Sequence, residues 1–393
     1  MDTNHTITLS AADHRKSRLS ACAYFLIDGM IFGTWATLIP SFKAKFQLDE
    51  GQLGIALFGM VIGALISMPL VGQVISRRGS RPVLLCLAPA FCVALVTLAL
   101  APAFVWLVTA ALLFGAVKGA FDVTINSQAI AVENAGTKPI MATFQALWSS
   151  GGLIAALFAS MALKQGVSPL VIASTVAISL ACLAMIAAGN LISGDATHSD
   201  SPEKQSGFKL PNQRLIRIGV LACMALFAEG VMMDWSAVYT KSVAGAADWL
   251  APVAYGVFSL SMAGGRLSGD YFTAKLGPVG VLKVSGTLTT IGLLIIVLVQ
   301  FWPATFVGLL FSGVGLSNLV PVLFGAGGRA HEGGAGKGIA AVSMMGYLGF
   351  LAGPPLIGGL SHLIGLPGAF SLVVIFALFI AIRGGAMLRP VPN

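Results

Sequence analysis

The sequence predicts an all-α integral membrane protein: twelve transmembrane helices in two pseudo-symmetric six-helix bundles. Three observations lead there. Composition is the first, since 56% of the 393 residues are hydrophobic and only 10% are charged, with a mean hydropathy of +0.89, values foreign to soluble globular domains. The second is that apolar residues gather in continuous runs about twenty long, not in the alternating segments of about ten that build a barrel. The third is that Lys and Arg fall almost entirely in every second loop, the asymmetry that orients helices in a bilayer.

The elements follow in order. Polar residues and the cations Arg15, Lys16 and Arg18 lead straight into an apolar run without a small-residue cleavage site, so that run reads as a span and not as a secretory peptide. Spans are expected at 19–40, 50–73, 82–101, 103–128, 140–161 and 168–190, and again at 215–238, 250–272, 279–299, 303–325, 338–360 and 366–384. On the side of the N-terminus lie Arg15, Lys16, Arg18, Arg77, Arg78, Arg81, Lys138, Lys204, Lys209, Arg214, Arg217, Lys275, Lys283, Arg329, Lys337, Arg383 and Arg389. The other side holds Lys43, Lys45, Lys164 and Lys241, and seventeen cations against four put both termini in the cytoplasm. The net charge of +8 is thereby absorbed by topology, leaving no case for a nucleic-acid surface.

Residues 190–214, NLISGDATHSDSPEKQSGFKLPNQR, form the longest polar stretch and read as a cytoplasmic linker between an N-terminal bundle, 1–189, and a C-terminal bundle, 215–393. The halves echo each other. Span one contains GTWATLIP with Trp35 and span seven MDWSAVYT with Trp235, and each tryptophan precedes a glycine-rich span and a basic turn ending at Gly79 or Gly277, intervals of 44 and 42 residues. Such internal repeats accompany carriers whose halves rock around a midplane site. Runs such as GQLGIALFGMVIGALIS, GVFSLSMAGGRLSG and GYLGFLAGPPLIGG place small residues at helical spacing, which lets backbones approach closely. Pro354 and Pro355 must kink or open span eleven.

Six charged residues sit inside spans: Asp28, Lys118, Asp122, Glu229, Asp234 and Arg266. Each costs on the order of 3 kcal/mol at a helix centre, so each needs a partner or an aqueous cavity. VKGAFDVTINSQAI puts Lys118, Asp122 and Asn126 on one stripe of span four, and Gln128 is expected to extend it. Two readings stand: a buried salt bridge that holds the helix to a neighbour, or one wall of a transport cavity. Asp28 has no basic residue within a turn, and a carboxyl isolated in that way favours its protonated form unless Lys118 reaches it from across the bundle. Asp28, Asp122 and Glu229 are the proton-coupling candidates. Further cavity candidates are Tyr24, Trp35, Gln145, Trp148, Asp234, Trp235, Tyr255, Asn318 and Tyr347, whose polar tips and apolar bodies suit a solute carrying both kinds of surface. A water-filled vestibule is the competing reading for Asp234. Trp106, Trp249 and Trp302, near span ends, read as interfacial anchors.

Cys22, Cys86, Cys92, Cys182 and Cys223 all lie in apolar runs without metal or redox spacing, so packing is their expected role, and no metal, cofactor or enzymatic chemistry is expected. The chain lacks GxxxxGK[ST] and a TVGYG-like filter, which argues against ATP-driven transport, an ATPase partner and a channel.

Twelve spans in two sixes, a central linker and the turn GQVISRRGSRP resemble the major facilitator superfamily. Gly72, Val74, Arg77, Gly79 and Arg81 fit that family's loop between spans two and three, with Ser76 at its acidic position. In the weaker copy after span eight Phe272, Lys275 and Gly277 fit, while Ala274 takes the acidic position and Asp270 the first glycine. FGAVKGAFDVTINSQAIAVE, FAEGVMMDWS and GYLGFLAGPPLIGGL are similar to a bacterial inner-membrane branch distantly similar to fucose permease. That resemblance implies an acid of span one and one of span four, here Asp28 and Asp122, in proton coupling and solute recognition. It also implies a gating loop at Gly72, Arg77, Gly79 and Arg81. The expected function is thus a proton-coupled symporter for a small polar solute such as a sugar, working as a monomer. An efflux carrier for amphipathic compounds and an uncoupled facilitator remain open.

Overall fold

A computed structural model describes residues 11–136, 140–193, 212–330 and 335–389. Every described element is helical: α1 (Ala11–Phe46), α2 (Glu50–Arg78), α3 (Ser80–Leu100), α4 (Phe104–Asn134), α5 (Met141–Lys164), α6 (Pro169–Ala187), α7 (Gln213–Ser242), α8 (Ala251–Leu298), α9 (Trp302–Leu316), α10 (Leu319–Ala330) and α11 (Ala335–Leu388), with a short 3-10 turn after α6. Among the described residues ten helices are long and apolar enough to cross a membrane, so the chain is an all-α, multi-span membrane protein. Most of the sequence-derived linker, residues 194–211, lies outside the described residues, as do Lys138, Lys204 and Lys209.

Glycine punctuates these helices where the sequence repeat placed it. Gly79 takes φ 79° between α2 and α3, while Gly277 takes φ 66° and Gly365 φ 76° inside α8 and α11. A left-handed residue cannot continue an α-helix, so each glycine reverses the chain, and the next helix begins at once. The sequence expected one span at 303–325; there the helix breaks at Ser317 and Asn318, between α9 and α10.

The described residues divide into two compact units. Of the described residues, one unit draws on those within 11–35, 59–158 and 165–193, the other on those within 36–58, 159–164 and 212–389. In the first unit α1 lies against α5 so closely that a β-carbon on Gly29 would collide with the Trp148 carbonyl, and one on Gly33 would stand 2.7 Å from Gly152 Cα. Its aromatic core packs Phe91 in tilted contact with Phe114 and Phe121, with ring centroids 5.1 and 5.3 Å apart.

In the second unit α7 runs beside α11, with Cys223 against Gly349 and Val231 against Gly353. The same unit contains the start of α2, which crosses α11 where a β-carbon on Gly54 would lie 2.9 Å from the Pro354 carbonyl oxygen and 3.1 Å from Gly358 Cα. Lys164, ending α5, sits 4.7 Å from the Trp249 ring. α2 and α11 therefore cross closely at Gly54 and Gly358, with glycine on both sides because nothing larger fits.

Candidate functional site

In the first unit, helix periodicity sets Lys118 and Asp122 one turn apart on α4, and the packing of α1 on α4 brings Asp28 to them. Lys118 Nζ lies 3.2 Å from Asp28 Oδ2 and donates to it, and it also pairs with Asp122 Oδ1. One ammonium thus serves two carboxylates. Exposure separates the two acids, because the Asp28 side chain is 1% accessible and that of Asp122 is 32% accessible, with Lys118 at 11% between them. Asp28 is the sealed end of the cluster and Asp122 the open end.

Two rings complete the site. The ammonium stands 5.6 Å from the centroid of Phe32 and 5.8 Å from that of Trp148, inside the range of about 6 Å over which an aromatic face attracts a cation. Gly29, beneath Trp148, allows the approach of α1 and α5 that sets these rings beside the charge. The sequence named Trp148 but missed Phe32, which looked like any other apolar residue of span one. Its position four residues after Asp28, on the same helical face, was the available signal.

The stripe on α4 is shorter than its sequence suggested. Asn126 turns its amide back to the Asp122 carbonyl of its own helix, 2.8 Å away. Gln128 faces elsewhere: it is buried, donates to Ser80 Oγ at 2.6 Å and to the Ile192 carbonyl at 2.9 Å, and accepts from the Ile192 amide. It ties α4 to the start of α3 and to the chain beyond α6, a fastening that the expected extension of the stripe by Gln128 overlooked. Gln145 is part-buried on α5. Tyr24 is buried and donates to the Ala184 carbonyl at 3.1 Å, and Trp35 is buried with its ring 5.8 Å from Phe114.

The basic turn is built differently from the family pattern. Arg77 is exposed in the last turn of α2, where a cation complements the helix dipole. Arg81 donates to Ser193 Oγ at 2.6 Å. Ser76, in the acidic position, donates only to the Gln73 carbonyl. Glu133 accepts the amides of Ile140 and Met141 at 2.7 and 2.9 Å, capping the start of α5.

The second unit holds a second buried pair. Arg266 of α8 donates to Glu229 of α7 at 2.8 Å. Beside Arg266, the Asn318 amide donates to the Gly265 carbonyl at 2.9 Å and to Ser317 Oγ at 3.1 Å. Asn318 therefore fastens the break between α9 and α10 to α8. Five residues beyond Glu229, Asp234 is 1% accessible, and neither carboxyl oxygen meets a hydrogen-bond partner among the described residues; the same holds for Trp235 Nε1 and Ser236 Oγ. Tyr255 is buried on α8, whereas Tyr347 is half exposed on α11.

Charged groups buried within long apolar helices, with glycine crossings that bring those helices together, define a polytopic membrane protein with polar sites inside its helical bundle. The chain belongs to the Major Facilitator Superfamily, whose family model matches residues 20–329. It is 34% identical over 365 residues to an uncharacterised MFS-type transporter of Yersinia pestis, covering 93% of this chain and 94% of that one. Among solved structures, a mutant of the nucleoside transporter NupG superposes with a TM-score of 0.76 at 13% identity, over 95% of this chain and 100% of that one. The transporter FucP in an outward conformation superposes at 0.63 with 15% identity, over 95% and 98%. At such identities the structural likeness speaks for the fold.

Proposed function

We propose that the chain is a proton-coupled secondary transporter of a bacterial inner membrane, a symporter that imports a small polar organic solute by alternating access. It works as a monomer, without an ATPase. Twelve spans in two pseudo-symmetric sixes with both termini cytoplasmic are the topology of this reading, and the reversals of α8 at Gly277 and α11 at Gly365 support it by dividing each into two arms.

One observation carries the proposal: two carboxylates, Asp28 and Asp122, share the single ammonium of Lys118 within the membrane. With both acids ionised the cluster bears a net negative charge in a medium where burying charge is expensive, and one proton makes it neutral. Loading that proton from outside and losing it at cytoplasmic pH gives the cluster two charge states, which is what coupling needs. Asp122, the accessible acid, meets solute and proton, while Phe32 and Trp148 offer flat apolar surface beside hydrogen-bonding groups, suited to a sugar or nucleoside. Asp234 is a second proton-binding group in this reading, since an unpartnered carboxyl buried in a membrane helix is stable there only when neutral.

The test is uptake by proteoliposomes under an imposed pH gradient, against a panel of sugars, sugar acids and nucleosides. One class should accumulate with alkalinisation of the outer medium, and Asp122→Asn should abolish gradient-driven accumulation. Uptake that leaves the outer pH unchanged would reduce the chain to a facilitator. If cells expressing it instead resist several unrelated amphipathic compounds, efflux is the correct reading.

A further inference from the structure

A site that the transport reading does not use lies on the outer face of one helix pair. The arm of α8 beyond Gly277 runs antiparallel to the arm of α11 beyond Gly365. Gly286 meets the Ala381 backbone, with 2.6 Å from its would-be β-carbon to Ala381 N, while Leu282 packs against Gly384 and Val279 against Gly385. Small residues at each crossing point leave space alongside the seam. A groove of about 640 Å³ occupies it, lined on α8 from Val279 to Ile291 and on α11 from Leu378 to Arg389. At a rise of ~1.5 Å per residue its α8 wall is about 18 Å long, over half the hydrocarbon thickness of about 30 Å.

Its lining is graded. Val279, Ile291, Leu378 and Ile382 line it and are 40%, 43%, 44% and 67% exposed, so the groove opens onto the hydrocarbon. Lys283 and Arg389 lie toward one end, where α8 leaves Gly277 and α11 finishes. Among the described residues no acid lines the groove. Neither Lys283 nor Arg389 makes an ion pair or side-chain hydrogen bond with another described residue. Two cations without counter-ions among the described residues, at the head of an apolar trough, match an amphiphile with an anionic head and a hydrocarbon tail.

We propose that this groove is a binding site for an anionic phospholipid, with the phosphate between Lys283 and Arg389 and an acyl chain along the α8–α11 seam. Basic pockets between helices on the cytoplasmic side are suited to such headgroups, and the loop-charge distribution puts this end there. Inorganic phosphate fills only the basic end. A zwitterionic lipid fills the trough but brings its own cation to the head, so charge selects between the lipids. Occupancy would brace the two arms against each other without touching the buried charges of either unit.

The experiment is native mass spectrometry on the delipidated full-length protein, titrated with phosphatidylglycerol or phosphatidylcholine. Phosphatidylglycerol should bind in preference, and K283Q/R389Q should weaken it about thirtyfold, from roughly 1 kcal/mol per cation, with phosphatidylcholine binding unchanged. A386W, which obstructs the trough and keeps both cations, should lower phosphatidylglycerol binding independently. R383Q, at an exposed arginine outside the groove, should not. Equal affinity of the parent for the two lipids, full binding by both A386W and the double variant, or displacement of the lipid by millimolar inorganic phosphate would each overturn the assignment.

Discussion

The two units each bury an acid against a base, and they do so with different charge balance. In the first, Asp28 and Asp122 compete for Lys118; in the second, Glu229 pairs with Arg266, and Asp234 stands apart five residues further along α7. Taken by themselves, Glu229 and Arg266 balance each other, so a proton would add charge to that pair. A two-to-one cluster and a lone carboxyl are both one proton short of neutrality. On the proposed reading the same ingredients, an acid on the first helix of each half and a cation on another, serve as a clasp in one place and as proton-binding sites in the others.

Lys118→Met should have the largest effect, because it strands the buried carboxylate of Asp28 and the partly exposed one of Asp122. A loss of stability of about 3–5 kcal/mol is expected, measured as thermal unfolding in detergent, together with loss of uptake. Adding Asp28→Asn and Asp122→Asn to Lys118→Met should restore much of the stability and none of the coupling. Recovery of gradient-driven uptake in that triple variant would erase the contrast between the units.

Arg266→Met strands one carboxylate instead of two, and its cost should be the smaller of the two. Here the compensating double variant Glu229→Gln/Arg266→Gln is expected to recover both folding and uptake. If uptake still fails in a folded double variant, the second pair is more than a clasp.

Asn318→Ala removes two hydrogen bonds at the α9–α10 break and should destabilise by about 1–2 kcal/mol, with the solute affinity of the folded fraction unchanged. A large change in affinity would return Asn318 to the cavity wall where the sequence reading put it.

The smallest effect on stability, and the sharpest test, belongs to Asp234→Asn. Replacing a neutral buried acid with its neutral isostere should move stability by no more than about 0.5 kcal/mol. The proton-to-solute ratio, read from paired pH and uptake traces, should fall. An unchanged ratio would leave the Lys118 cluster as the sole proton carrier, and a large loss of stability would mean that Asp234 is ionised in the folded protein.

Much of this was legible in the sequence because hydrophobic run length and charge placement are local properties. An all-α, multi-span membrane chain, the six charged residues within its helices and the breaks at Gly79 and Gly277 all follow from such patterns. Pairing was not legible. Lys118 looked like the partner of Asp122, one turn away, and its reach to Asp28, 90 residues distant, depends on how α1 packs on α4. Gln128 and Asn318 illustrate the reverse error. A polar residue in a span looks like a cavity residue until its partners are known, and both prove to hold helix ends and breaks in place through backbone carbonyls.

By itself, then, the amino-acid sequence determined a membrane-spanning α-helical chain, where its helices turn and which charges must be sheltered, since each is fixed by the transfer of short segments from water to hydrocarbon. Only the tertiary structure decided which acids share Lys118, which one meets Arg266 and which has no partner among the described residues. It also decided that glycines 54 and 358 meet, and that Lys283 and Arg389 head a common groove. Those outcomes depend on distances between helices far apart in sequence, set by packing across whole helix faces that no local pattern encodes.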